Sequence, residues 1–517
     1  MSRWRVDMNL SIHSKRAAQL FDDRIAMQQQ ELSWTYREFD QIIDRLASSL
    51  ANRYEPHARV GVMMSNRIEA VFLQFALERA GLVRVPVNAR YTAHDLALLM
   101  IDCEASALFF DVSCQDAVES APLPETTETI LVDQEPGGGQ FQDMLAGPIR
   151  EALLHRAALD DLATINYTSG TTGAPKGVML THRNWVAVYR NMLVDRDFRG
   201  DDIVAYVGPL THSAGAYLAP WFWRGAKNII VTAPTPEKLL DIIEAESVSA
   251  FTCVPTFLTR LINVPDIKSR DLSSLRLIGY GAEPIPVNTL ERSWELFGPI
   301  LWQNYGQTEA MMTCLHLPPA DHVADPCDGK PQLRQGFIGR PYTFVEVALR
   351  DADGKRVADG QVGELTLRGD HVMQGYWNRP QQTREVLKDG WLWTGDLAVN
   401  EGPDLMRLVG RRKDMLICGG FNIYPAELEA LLTSIDGVNE AAVIARTDPN
   451  WGEIAVAFVT LTPGSAYTVQ SLTEKVRPLA GIKTPKAWRI VQELPKNPNG
   501  KLDRGILRRW DQEHVAV

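Results

Sequence analysis

Apolar residues in this chain recur at two alternating spacings. In DQIIDRLASSLANRY (40–54), Ile42, Ile43, Leu46 and Leu50 share one face of a helix, and the ARVGVMMS that follows is an apolar run of strand length. IEAVFLQFALERAGLVRVPVN repeats this as helix, Gly81, strand, and the order returns in PEKLLDIIEAESVSAFTCVP and in NTLERSWELFGPILWQNYG. Helices alternating with buried strands predict an α/β part with largely parallel sheets covered on both faces. Beyond about residue 335 the runs shorten to FVEVALRD, GELTLRG and LMRLVG, separated by Gly and Asp turns, which predicts a smaller antiparallel or β-barrel-like unit. The last of these ends in the charged run RRKD, after which a new α+β pattern begins, long enough for a small domain of its own.

At 517 residues the chain exceeds what one hydrophobic core supports, so at least two domains are expected. A net charge of -11 argues against general affinity for nucleic acid or an anionic membrane surface. Six cysteines (Cys103, Cys114, Cys253, Cys314, Cys327, Cys418) lie scattered without CxxC spacing, which suits reduced thiols rather than a disulfide framework or a zinc site. The N-terminus lacks the apolar run of a signal peptide and no stretch approaches a membrane span, so the expected location is cytoplasmic.

The candidate chemistry begins at YTSGTTGAPKG (167–177). A strand-like run precedes it and a helical pattern follows, which places it near the C-terminal end of a strand, where open α/β sheets bind ligands. Glycines let backbone N–H groups wrap anionic oxygens, the hydroxyls of Thr168, Ser169, Thr171 and Thr172 add donors, and Lys176 adds charge. A polyphosphate fits this set, although a plain Gly/Ser/Thr surface loop has the same composition. It is not a Walker A loop, because Gly177 stands after the lysine where Ser or Thr is required.

GYGAEP (279–284), YGQTEA (305–310), WLWTGDL (391–397), GRRKDMLICGGFNIYPAELE (410–429) and PKNPNGKLDR (495–504) follow in that order. With the opening loop they resemble the acyl- and aryl-CoA synthetase branch of the adenylate-forming superfamily, across nearly the whole chain. The resemblance implies that a small-molecule carboxylic acid attacks the α-phosphate of ATP, giving an acyl-adenylate and pyrophosphate, and that the thiol of CoA then displaces AMP. Thr168, Ser169, Gly170, Thr171, Thr172, Gly173 and Lys176 would hold the departing phosphates, Thr308 would donate to the α-phosphate, and Glu309 would help hold Mg²⁺. Tyr305, flanked by Asn304 and Gly306, would sandwich adenine against Gly281, Ala282, Glu283 and Pro284, while Asp396, read as lying in a short turn, would take the ribose and Arg411 the same ribose or the phosphate. Lys501 would bridge the attacking carboxylate and the α-phosphate.

His212, in PLTHSAG, matches a histidine where the acyl pocket of such enzymes meets the thiol tunnel, a positioning or gating role. Ser213, Ala214, Gly215 and Ala216 leave room for an apolar acyl or aryl group, and Trp221, Phe222 and Trp223 either line that room or pack the core. No arginine or lysine stands out as partner for a second carboxylate. Gly419 and Gly420 would let backbone run beside the pantetheine arm of CoA, with Trp451, Lys483 and Lys486 as further contacts. The resemblance also implies a division into an N-terminal domain (1–410), a hinge at 411–414 and a mobile C-terminal domain (415–517) carrying the catalytic lysine. A carrier protein's phosphopantetheine is the alternative thiol, and a non-catalytic nucleotide-binding relative is the alternative class.

Overall fold

The computed structural model describes residues 8–133, 138–168, 175–211, 213–324, 332–462, 464–497 and 502–513. The helix expected near 40–54 runs Tyr36–Arg53, opened by a capping box in which Thr35 and Glu38 satisfy each other's backbone N–H groups. The next helix, Ile68–Ala80, is buried on nearly every side and ends at Gly81, whose φ of +72° turns the chain into the Val83–Val87 strand. Helices Pro236–Glu246 and Val287–Phe297 likewise lead into strands Ala250–Cys253 and Leu301–Gln307.

These strands assemble into two large sheets. One contains Val83–Val87, Arg59–Met63, Ala107–Phe110 and Glu128–Leu131 in parallel, with the antiparallel pair Leu162–Thr168 and Lys176–Thr181 and the short strand Gly375–Tyr376 at its other edge. The other has 14 strands among the described residues. Its centre is parallel, from Lys227–Ile230 through Ile203–Tyr206, Ala250–Cys253 and Leu277–Gly281 to Leu301–Gln307. A hairpin then reverses direction, and Ala310–Leu317 pairs with Phe337–Pro341, which pairs with Met406–Arg411. The antiparallel unit expected after residue 335 is therefore not free-standing: it extends the parallel sheet.

A third sheet, of five strands with Val438–Asp448 and Gly452–Leu461 at its heart, forms after residue 415 and buries its own apolar cluster around Leu416, Leu432 and Val443. The architecture is a large αβ region followed by a small α+β domain. Among the described residues no helix is long and apolar enough to cross a membrane, and Cys103, Cys114, Cys253, Cys314 and Cys418 are all free thiols.

Candidate active site

The hairpin at 301–317 organises the site. Leu301–Gln307 lies parallel to Leu277–Gly281, with Asn304 opposite Gly281, and Thr308–Glu309 form the turn into Ala310–Leu317. Gly306 has no room for a side chain, since a Cβ there would lie 2.6 Å from the Met312 backbone. The tight return presents Glu309 at the end of a central strand. Its carbonyl accepts from Met373 N–H at 2.8 Å, and its carboxylate oxygen Oε1 accepts from the Tyr376 hydroxyl at 2.8 Å.

Tyr376 also touches the strand that carries the expected phosphate lysine. Gly375–Tyr376 pairs with Lys176–Thr181, and Lys176 Nζ sits 4.9 Å from the centroid of the Tyr376 ring. One side chain thus touches both the expected metal carboxylate and the expected phosphate lysine. Burial and the charge of Glu309 push the Tyr376 phenol's pKa up, so it remains a proton donor to the carboxylate. Thr168 and Lys176 face each other as the last described pair of the antiparallel strands, so Tyr167–Thr168 and Lys176–Gly177 are strand rather than loop. Ser169, Gly170, Thr171, Thr172 and Gly173 lie outside the described residues.

On the other side of the hairpin, the Tyr305 hydroxyl donates to Asp396 Oδ2, and Arg411 Nε reaches Asp396 Oδ1 at 2.6 Å. Asp396 is not in a turn. It lies within the strand Trp391–Asn400 directly opposite Arg411, because Gly395 takes φ +73° and the strand absorbs the irregularity as a bulge near Leu397 and continues. Burial pushes the Asp396 pKa up, while Arg411 and the Tyr305 hydrogen bond oppose that rise. A carboxylate so held keeps lone pairs for further donors such as ribose hydroxyls.

The segment expected to wall the adenine is closely packed. A Cβ on Gly281 would strike the Asn304 carbonyl oxygen at 2.4 Å, so the two backbones touch; Ala282 takes φ +72°, and Glu283 Oε1 accepts from Thr256 N–H at 3.0 Å before Pro284. Asn304 departs from the expected nucleotide set. Neighbours on a strand point to opposite faces, so with Tyr305 turned to Asp396 the Asn304 amide lies on the other side, bonded to Arg196, Tyr217 and Tyr342.

The sequence profile of the AMP-binding enzyme family matches residues 14–377, and that of its C-terminal domain matches 427–501. The chain belongs to the AMP-binding enzyme family. It is 34% identical over 498 residues to a feruloyl-CoA synthase of Amycolatopsis sp, covering 96% of this chain and 97% of that one. It is 32% identical to the fatty acid–[acyl-carrier-protein] ligase ScoC of Streptomyces coeruleorubidus, covering 92% and 91%. Among solved structures, ATP-bound MatB from Rhodopseudomonas palustris superposes with a TM-score of 0.86 at 29% identity, covering 98% and 100%.

As an AMP-binding enzyme the chain uses ATP and Mg²⁺, and the site fits both. A hard carboxylate at a hairpin turn beside a lysine suits a metal-bound polyphosphate, and a buried acid with an arginine suits a ribose. In the C-terminal domain Gly419 and Gly420 close the two-residue hairpin between Leu416–Cys418 and Phe421–Ile423, with φ of +56° and +85°. Gly419 N–H donates to the Trp451 carbonyl, a Cβ on Gly419 would strike the Trp451 ring at 2.7 Å, and Lys486 Nζ lies 3.9 Å from that ring's centroid. Three of the expected CoA contacts therefore meet. Lys483 instead pairs with Glu427.

Trp221 and Phe222 resolve as core. The Trp221 indole donates to Asp202, and Phe222 packs on Tyr36, Phe39 and Phe75. Gly215 has no room for a side chain, since its Cβ would strike the Leu210 carbonyl oxygen at 2.1 Å. His212 and Lys501 lie outside the described residues. Tyr376 was missed in the sequence, where GYW carries no sign of a partner 67 residues away.

Proposed function

We propose that the protein is an ATP-dependent carboxylate–CoA ligase that activates a monocarboxylic acid, fatty or aromatic, as acyl-AMP with release of pyrophosphate and then transfers the acyl group to CoA. The observation that carries this reading is the pair of constellations flanking one hairpin. Lys176, Tyr376 and Glu309, which meet through the Tyr376 side chain, would offer charge to a metal-bound polyphosphate, and the linked Tyr305, Asp396 and Arg411 would offer a nucleoside a ring and a ribose acceptor. The feruloyl-CoA synthase and fatty acid ligase relatives support an aromatic or fatty acid.

In this reading Thr308 donates to the α-phosphate, Ser169–Gly173 wrap the departing phosphates, and Lys501 neutralises the charge that accumulates between carboxylate and α-phosphate. His212 positions the acid. The small domain, from about residue 415, turns on residues 411–414, bringing first Lys501 and then the Gly419–Gly420 hairpin to the same adenylate. The free thiols of the protein's described cysteines support a cytoplasmic location. Incubation with ATP, Mg²⁺ and a panel of acids should give acid-dependent pyrophosphate release and, with CoA, a thioester. Transfer to a holo carrier protein but not to CoA would replace CoA as acceptor, and nucleotide binding without pyrophosphate release on any acid would end the ligase reading.

A further inference from the structure

Arg196 closes the helix His182–Asp195 and is 4% exposed. Its Nη2 donates to Asn304 Oδ1, while Nε and Nη1 are buried with no hydrogen-bond partner. Among the described residues it forms no ion pair, and the carboxylate next to it in sequence, Asp195, is taken by the backbone and hydroxyl of Thr343. A buried guanidinium is tolerated when an anion or several acceptors surround it.

What surrounds this one is largely aromatic. The guanidinium carbon lies 5.5 Å from the Tyr217 ring centroid and 5.1 Å from that of Trp302. Trp302 stacks on His316, and His316 on Tyr342. Trp302 Nε1 and His316 Nδ1 are also buried without a partner. Asn304 Oδ1 accepts from both Arg196 and the Tyr342 hydroxyl, and the Asn304 amide nitrogen donates to the Tyr217 hydroxyl, so the acceptor that the arginine has is neutral and shared. The cluster thus contains a cation and several unmatched polar atoms, and it lacks an acceptor with negative charge.

Its place in the fold indicates the source of that acceptor. Tyr217 ends the short turn Ser213–Tyr217 that follows His212, the segment assigned to the acyl group, and Asn304 immediately precedes Tyr305 of the nucleotide site. We infer that Arg196, with Asn304, selects acids that carry a second acceptor oxygen at the end remote from the activated carboxylate, such as a phenolic, keto or carboxylate oxygen. This rests on the ligase reading and deepens it, and a preference for the dicarboxylate would widen the proposed acid beyond monocarboxylic ones. It also revises the expectation that no basic residue awaits such a group, since Arg196 is remote in sequence from every residue it meets in this cluster. Ordered water can satisfy an N–H but supplies no charge.

The test compares matched pairs that differ by the distal oxygen: phenylpropanoic with 4-hydroxyphenylpropanoic acid, and decanoic with decanedioic acid. Each pair is measured as the ratio of kcat/KM for pyrophosphate release on one enzyme preparation, so partial loss of folded protein cancels. The wild type should favour the oxygenated member of at least one pair by about tenfold or more, the scale of a hydrogen bond to a charged group. Arg196→Met should bring that ratio to one or below, and Arg196→Lys should keep part of it. A wild-type ratio at or below one in both pairs, or a ratio unchanged in Arg196→Met, overturns the assignment. Should Arg196→Met not fold, the same ratio in Arg196→Lys and Arg196→Gln decides. If no acid releases pyrophosphate, the ligase reading falls separately, and calorimetric binding of the same pairs to wild type and variants decides the role of Arg196.

Discussion

Tyr376→Phe removes one oxygen atom from the site and leaves the ring in place. The lost interaction is a 2.8 Å hydrogen bond to the Glu309 carboxylate, while the ring still lies under Lys176. Hydrogen bonds to charged groups contribute ~1.5–3 kcal/mol, and each 1.4 kcal/mol is tenfold, so adenylation should slow by roughly 10- to 150-fold. Glu309 is proposed to hold Mg²⁺, so the loss should be greatest at low Mg²⁺ and partly recovered as Mg²⁺ is raised. Tyr376→Leu removes the ring as well and should cost about 2- to 5-fold more, the size of an exposed cation–π contact. The assay is acid-dependent pyrophosphate release across a Mg²⁺ titration, set beside thioester formation from supplied acyl-AMP and CoA. The second reaction requires neither group and should be nearly unchanged in both variants. If Tyr376→Phe adenylates at the wild-type rate with an unaltered Mg²⁺ dependence, or if both half-reactions fall together, Tyr376 does not position Glu309 for catalysis.

Lys501→Ala should lower adenylation by about 10²–10³-fold or more while thioester formation from acyl-AMP persists, and near wild-type pyrophosphate release would remove Lys501 from the mechanism. Proline fixes φ near −65°, so Lys413→Pro should hold one orientation of the small domain: adenylation survives and CoA transfer falls sharply, whereas equal effects on both half-reactions would refute the hinge. Burial pushes His182, His316, His322 and His371 down to about 4, from an ordinary value of 6.5. Their contribution to stability is complete above pH 6.5 and is lost as pH falls from 6.5 through about 4, because the unfolded chain takes up protons first. The melting temperature should drop across that window and drop less steeply in His371→Leu, and a melting temperature level from pH 7 to pH 4.5 would contradict it.

Much of the fold was legible in the sequence because it rests on local periodicity. The switch from 3.6-residue to short continuous apolar runs located the helix–strand pairs around Gly81, Ser247 and Gly298. Tyr305, Asp396 and Arg411 were singled out in the sequence and do converge, though Asp396 was misplaced: Thr-Gly-Asp has the composition of a turn, and pairing with strands on both sides keeps it extended. The aromatic run at 221–223 was ambiguous because packing, not composition, decides between pocket and core. Tyr376 and Arg196 could not be read at all. Each meets partners brought close by the sheets, 67 residues away for Glu309 and 108 for Asn304, and no spacing rule spans such distances.

Arg411 ends the last strand of the large sheet. Its side chain grips Asp396, and its carbonyl accepts from both Asp414 and Met415 N–H groups in the turn that leads to the small domain. There is no slack in the chain between the residue that pairs with Asp396 and the first bonds that must loosen if the small domain swings. Grip and pivot are mechanically in series, so a swing large enough to break those two bonds also frees the backbone that aims the guanidinium. Release of AMP and return of the small domain would then share one latch, and a variant that stiffens the turn would trap product as well as posture.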